Sequence, residues 1–137
     1  MYGGTECGNI AVNRKLNPDI QYKVLPYGDM GEGCGELVVK TGSSMFSCYY
    51  KDPERTAAAF TEDGFYKIGD LVRVVGDQIE VIGRAKTSIK LADGKWYFPE
   101  SLEAVYRTAL SADSVHHVFV HGDAHHDLLV AVVDAER

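Results

Sequence analysis

Asp70 and Arg84 are the two side chains whose placement suggests chemistry, within the stretch YKIGDLVRVVGDQIEVIGRAKTSIK at residues 66–90. A carboxylate and a guanidinium side by side can hold a vicinal diol or a phosphate, because one accepts hydrogen bonds while the other donates a planar pair. The same two groups can also form an ordinary ion pair at the foot of a hairpin, which contributes little on a solvated surface. A second cluster is the histidines, all five of which fall between residues 116 and 126. His117 and His121 share a strand face but sit about 13 Å apart at roughly 3.3 Å per residue, too far to ligate one ion together. A cross-hairpin pair involving His126 is the metal arrangement left open. Cys7, Cys34 and Cys48 are odd in number and lack metal-type spacing, which predicts free thiols in a reducing compartment, the cytoplasm.

The elements that must carry Asp70 and Arg84 are β-strands. LVRVV and QIEVI are β-branched runs joined by Gly76-Asp77, a strong two-residue hairpin signal. Two equal arms return their outer ends to one place, so an acidic turn at Gly69-Asp70 meets a basic turn at Gly83-Arg84-Ala85-Lys86. Upstream, residues 20–26 and 36–41 read as strands around the glycine-rich GDMGEGCG. Its glycine spacing does not match a dinucleotide-binding loop and no helix follows it, so it reads as a connection. Asp52-Pro53-Glu54 has the signature of a helix start, and the helix should stop before Asp63-Gly64. Downstream, SIKL and KWYF are short strands around Ala92-Asp93-Gly94. Trp96, Tyr97 and Phe98 then read as core or interface. A helix opens at Pro99 with Leu102, Val105, Tyr106, Ala109 and Leu110 on one apolar face. VHHVFVHG and DLLVAVV follow as two strands across a polar turn at residues 123–126, and LLVAVV reads as a buried run. A subdomain boundary is expected at residues 83–86.

Length and charge narrow the function. At 137 residues, 45% of them apolar and 25% charged, the chain can build a real core. A net charge of -6 argues against nucleic acid or an anionic membrane as the main partner. No apolar run approaches transmembrane length, and no basic region followed by an apolar one marks a secretory signal at the N-terminus.

Three motifs then occur in order: YGGTE at residues 2–6, YKIGD at 66–70 and GRAKTSIK at 83–90. Together they resemble the adenylate-forming superfamily of acyl-CoA synthetases, luciferases and adenylation domains, over nearly the whole chain. IKLADGKWYFPESLEAVY looks most like long-chain acyl-CoA synthetases and the adenylation domains of carboxylic acid reductases, and DIQYKVLPYGDMG also looks reductase-like. The resemblance implies a mixed α/β (α+β) fold in two pieces. Residues 1–83 would be the C-terminal, β-barrel-like part of the large AMP-binding domain. Residues 84–137 would be the hinge and the start of a small lid, an antiparallel sheet with a helix.

The same resemblance implies a reaction and roles. A carboxylic acid would attack ATP to give an acyl-adenylate and pyrophosphate. The acyl group would then pass to a thiol, on coenzyme A or on the phosphopantetheine of a carrier protein. Tyr2 matches the residue whose ring lies against adenine, with Gly3 beside it letting the backbone approach a ligand. Thr5 would bond phosphate and Glu6 would hold Mg2+, a hard cation that prefers carboxylate oxygen. Asp70 matches the ribose-binding acid, and Arg84 the arginine that supports ribose and phosphate. Lys86 stands at the hinge position, where many members carry Asp. Lys90 matches a position tied to the thioester-forming pose. Ser101 replaces a glutamate common in the family's P-x-E-I-E, which blurs the subfamily. The family's Ser/Thr/Gly-rich phosphate loop and its C-terminal lysine are not in this sequence. The expectation is therefore a C-terminal fragment, inactive without the rest of its parent chain. The alternatives are the adenylation domain of a carboxylic acid reductase, or a non-catalytic binding module descended from the family.

Overall fold

The structure is a computed structural model that describes residues 1–110 and 115–135. The chain divides into two compact units, Met1–Val81 and Ile82–Arg137. The fold is mixed α/β and mostly antiparallel sheet.

The first unit is built on β1 (Tyr2–Gly4), β2 (Gly8–Val12), β3 (Lys15–Leu16), β4 (Gln21–Leu25), β5 (Cys34–Lys40), α1 (Pro53–Ala58) and β6 (Tyr66–Val75). β7 (Gln78–Arg84) begins there and runs across the division between the units. The strands form one seven-stranded sheet in the order β1-β2-β3-β7-β6-β5-β4. Its core is apolar and includes Ile10, Leu16, Leu37, Val39, Val72 and Ile79, with Cys7 and Tyr66 packed among them. Residues 28–33 of the glycine-rich stretch belong to the connection between β4 and β5, as their turn residues predict, while Cys34 and Gly35 open β5. Asp52 caps α1, its Oδ1 accepting from the Arg55 N–H at 2.9 Å, and Pro53 takes the first helical position.

Three features of this unit depart from the sequence reading. Residues 8–16 hold a hairpin that the sequence did not announce, because its turn is Asn13-Arg14. Those two residues sit at φ 51° and 65°, the left-handed pair of a tight hairpin turn that normally selects glycine. The hairpin arms around Gly76-Asp77 are longer than LVRVV and QIEVI, since β6 already starts at Tyr66. Consequently Gly69-Asp70 is not a turn. It lies inside β6 as a bulge: Lys67 pairs with Val38 and Leu71 with Glu36, leaving Ile68, Gly69 and Asp70 opposite Leu37 alone. Gly69 takes φ +81°, which only a glycine adopts without strain.

The second unit contains the end of β7, β8 (Ile89–Lys90), β9 (Trp96–Tyr97), α2 (Pro99–Ala109), β10 (Val115–His121) and β11 (Val130–Ala135). β8 pairs with β9 and β10 with β11, both antiparallel. Gly83 is required here by packing: a Cβ on it would lie 2.6 Å from Cδ1 of Phe98. The Ser101 hydroxyl, at the start of α2, donates to the Ile82 carbonyl at 3.1 Å. α2 meets β10 through Glu103, whose Oε1 accepts from the Val120 N–H at 3.0 Å. Leu91, Val118 and Val120 are buried. The apolar face expected on α2 is only partly used, with Leu102 half-buried while Val105, Tyr106, Ala109 and Leu110 are exposed. Nor is LLVAVV a buried run, because every residue of β11 is exposed. One face of a two-stranded ribbon can pack on a single helix, and no described element of this unit covers the rest.

Leu37 is fully buried and Val75 is 70% exposed, although both are strand residues. Leu37→Ala should lower unfolding free energy by about 2–5 kcal/mol through lost burial and a cavity. Val75→Ala should change it by less than about 0.5 kcal/mol. Urea denaturation of the two variants measures the contrast, and equal effects would mean that the sheet's core lies elsewhere.

Candidate functional site

The first unit brings Tyr2 and Asp70 together. The Tyr2 hydroxyl donates to Asp70 Oδ2 at 2.6 Å, joining residues 68 apart in sequence. Asp70 is 4% exposed, the one charged residue buried among the described residues. Both ends of this bond stand at strand irregularities. The β6 bulge carries Asp70, and β1 shifts register between Tyr2 and Gly3, where Tyr2 faces Ala11 and Gly3 faces Asn9. A bulge re-aims a side chain that the regular pleat would send elsewhere. The fold by itself already requires Gly3, since a Cβ on it would lie 2.1 Å from the Gly8 carbonyl oxygen.

Thr5 and Glu6 lie at the tip of the β1–β2 hairpin, closed by the Cys7 N–H donating to the Gly4 carbonyl at 3.3 Å. Glu6 is tied down through its backbone, its carbonyl accepting from the Phe46 N–H at 2.8 Å. Its side chain is half-buried and faces Tyr49, whose hydroxyl lies 3.4 Å from Glu6 Oε1 and also 3.4 Å from the Tyr66 hydroxyl. Cys7 packs beneath the tip, where burial raises its thiol pKa.

Tyr49 and Tyr66 belong to an aromatic cluster that the sequence reading assigned to no site. Phe46 lies 4.9 Å from Tyr49, 5.5 Å from Phe60 and 5.2 Å from Tyr66, ring centre to ring centre. The Arg55 guanidinium stands 4.1 Å over the Tyr49 ring, and the Tyr49 N–H donates to Thr56 Oγ1 at 3.0 Å. A helix start at Asp52 was legible, but which loop it would pin against residue 6 was not. The buried Tyr66 hydroxyl has its pKa pushed well above the usual tyrosine value, by burial first and then by the Tyr49 hydroxyl.

Arg84, Lys86 and Lys90 lie in the second unit. The Arg84 carbonyl accepts from the Thr87 N–H at 3.3 Å and the Ser88 N–H at 2.9 Å, making residues 84–88 a closed turn. Lys86 is exposed within it. Lys90 is half-buried and lays its ammonium 5.6 Å over the Trp96 ring. Among the histidines, His126 Nδ1 meets both oxygens of Asp123, at 3.0 and 2.9 Å, and His125 Nδ1 is 3.5 Å from the same carboxylate. The pKa of Asp123 is lowered, first by the His125 backbone N–H and then by the His126 side chain. Among the described residues no group of three His, Cys, Asp or Glu could hold a metal ion. No helix among them is long and apolar enough to cross a membrane.

No protein-family model matches the chain. Carboxylic acid reductase of Segniliparus rugosus is 35% identical over 142 aligned positions, spanning 96% of this chain and 12% of that protein. Human long-chain-fatty-acid–CoA ligase 1 is 38% identical over 103 positions, spanning 74% of this chain and 14% of that protein. The solved A-PCP didomain of the Segniliparus rugosus reductase, in complex with AMP, superimposes with a TM-score of 0.85 at 34% identity, over 98% of this chain and 20% of that one. The chain thus spans about an eighth of the reductase it matches.

The raised pKa of Tyr66 predicts an alkaline signature. A raised folded pKa means that Tyr66 contributes stability below the ordinary tyrosine value near 10, and that this contribution is lost as pH rises toward the folded value. Of the eight tyrosines, Tyr66 should therefore be silent in the ionisation step that exposed tyrosines show. Ultraviolet titration of the folded Tyr66→Phe variant should give the same step as the parent. A step smaller by one tyrosine's amplitude would show that Tyr66 titrates normally.

Proposed function

The chain belongs to the adenylate-forming superfamily of acyl-CoA synthetases and adenylation domains, and from that premise we propose that it serves an ATP-dependent enzyme that forms an acyl-adenylate and passes the acyl group to a thiol. The observation that carries this reading is the bond between Tyr2 and Asp70, which unites the first and second motifs at one buried carboxylate. A carboxylate in that position can accept hydrogen bonds from the 2′ and 3′ hydroxyls of a ribose, with the Tyr2 ring available to a flat base.

The chemistry is a pair of substitutions. A free carboxylate is a poor electrophile, so the acid's oxygen first attacks the α-phosphorus of ATP; a P–O bond forms and pyrophosphate leaves. The thiol sulfur then attacks the acyl carbon, losing its proton, and AMP departs with the C–O bond electrons. Thr5 is proposed to bond phosphate from the hairpin tip, and Gly3 to keep the backbone bare beside it. Glu6 offers one half-buried carboxylate at that tip, and among the described residues no group of three His, Cys, Asp or Glu could enclose a metal. That sparse oxygen set fits Mg2+, which takes one or two carboxylates and fills its shell with phosphate oxygen and water. Bound there, the ion would neutralise phosphate charge. Arg84 would support ribose and phosphate, Lys86 would be the hinge and Lys90 would act in the thioester-forming pose.

Residues 1–83 are proposed as the C-terminal part of the AMP-binding domain and residues 84–137 as the hinge and first part of the lid. The acid pocket, the phosphate loop and the adenylating lysine would come from the rest of a parent chain, and the isolated chain would be inactive. A carboxylic acid reductase setting is the favoured form, because the match to that enzyme runs over 96% of this chain. The thiol acceptor would then be the phosphopantetheine of a carrier domain, with coenzyme A as the acceptor in the ligase setting. The cytoplasm is the proposed compartment.

The test is ATP–pyrophosphate exchange by the complete enzyme carrying Asp70→Ala. Loss of a hydrogen bond to a charged group, about 1.5–3 kcal/mol, should lower kcat/KM for ATP by about tenfold or more. An unchanged value would remove Asp70 from the nucleotide site. The hinge has its own test. Proline at Lys86 fixes φ and restricts Ala85, so Lys86→Pro should spare most acyl-adenylate formation and abolish most transfer to thiol. Lys86→Ala should be mild in both half-reactions. Equal losses in both steps for both variants would rule out a hinge at this turn.

A further inference from the structure

We propose that the Tyr2 hydroxyl, and not only its ring, is a specificity determinant: it fixes the orientation of the Asp70 carboxylate and so makes the site discriminate ribose from deoxyribose. This rests on the reading of Asp70 as the ribose-binding acid. Three observations carry it. The bond is 2.6 Å, in the short range of a phenol donating to a carboxylate. The acceptor is 4% exposed, so water cannot readily take the phenol's place. Two separate strand irregularities, in β1 and in β6, aim the two side chains at one another. A register shift and a bulge each forfeit regular ladder bonds, and neither is needed to bury a tyrosine ring.

The physical basis is preorganisation. A carboxylate has about four acceptor positions, and a terminal sp3–sp2 torsion is soft, so an unrestrained Asp samples a broad range of carboxylate planes. A donor on Oδ2 narrows that range. A cis-diol presents two hydroxyls at fixed spacing, and it can bond a carboxylate well only when the plane matches. Removing the donor should therefore harm the substrate that uses both hydroxyls more than the one that has lost a hydroxyl already. Tyr2 is a positioning residue in this scheme as well as a surface for the base.

The experiment compares ATP with 2′-deoxy-ATP in pyrophosphate exchange by the complete enzyme, and AMP with 2′-deoxy-AMP in equilibrium binding. Four proteins are used: parent, Tyr2→Phe, Asp70→Asn and the double variant. The parent should prefer the ribonucleotide by about tenfold or more, the effect of one bond to a charged group. Tyr2→Phe, which keeps the ring, should erase most of that preference while leaving KM for the carboxylic acid unchanged. In the Asp70→Asn background Tyr2→Phe should add nothing further to the discrimination. Should phenylalanine alone leave the buried carboxylate too poorly bonded to fold, Tyr2→His, which keeps a flat ring but moves the donor, takes its place in the same comparison with the same expected loss of preference. If Tyr2→Phe weakens both nucleotides equally, or if its effect on discrimination persists in the Asp70→Asn background, the hydroxyl does not select the sugar through Asp70 and the proposal falls. If instead the parent itself shows no preference, the ribose reading of Asp70 fails first and takes this inference with it.

Discussion

A carboxylate withdrawn from water must find donors or destabilise the fold around it. Asp70 imposes that requirement on the first unit. Its partner Tyr2 comes from the sheet's edge strand β1, reached only after the sheet is assembled through β2, β3, β7 and β6. The β6 bulge exists at the same place, with Gly69 as its left-handed residue. Regular pairing would alternate sides along β6 and pack the ladder without interruption. Instead the strand forfeits ladder bonds opposite Leu37 and a polar group enters an otherwise apolar interior. Departures of this kind, held by well-packed surroundings, are where binding sites are commonly found.

The hairpin tip that carries Thr5 and Glu6 is fixed by different means. It is a short turn on an edge strand and would be mobile alone. The Phe46 N–H holds the Glu6 carbonyl, and Phe46 is in turn wedged among Tyr49, Phe60 and Tyr66. α1 contributes by placing Arg55 on the Tyr49 ring and Thr56 against its backbone. A surface loop between β5 and α1 thus becomes the support for residues forty positions earlier in the chain.

Local signals were legible in the sequence and long-range ones were not. Gly76-Asp77 announced its hairpin because a two-residue turn has narrow backbone demands that glycine meets. Asp52-Pro53 announced α1 because capping is a contact between near neighbours. Asn13-Arg14 announced nothing, since neither residue is glycine and the turn is imposed by the strands it joins. The bulge at Gly69 was mistaken for a turn for a related reason. A glycine before an acid fits either, and only the register of β5 against β6 distinguishes them. Motif order singled out Tyr2, Thr5, Glu6 and Asp70, and the structure joins two of them, Tyr2 and Asp70, while Tyr49 and Tyr66 had no local mark. The apolar run in β11 was misjudged because hydrophobicity measures what a strand could bury, and not what lies over it.

Gly3 has a consequence for how such motifs are interpreted. No L side chain of any size can occupy that position while the first hairpin keeps its form, because the Gly8 carbonyl fills the space where a Cβ would stand. Selection would hold glycine there in a descendant that had lost all interest in nucleotides, for as long as the hairpin was kept. An unchanging residue inside a binding motif is then a record of folding history, and it cannot be counted as a vote for the ligand. Within YGGTE the positions that can report on the ligand are those whose side chains the backbone leaves free to vary, Thr5 and Glu6 above all.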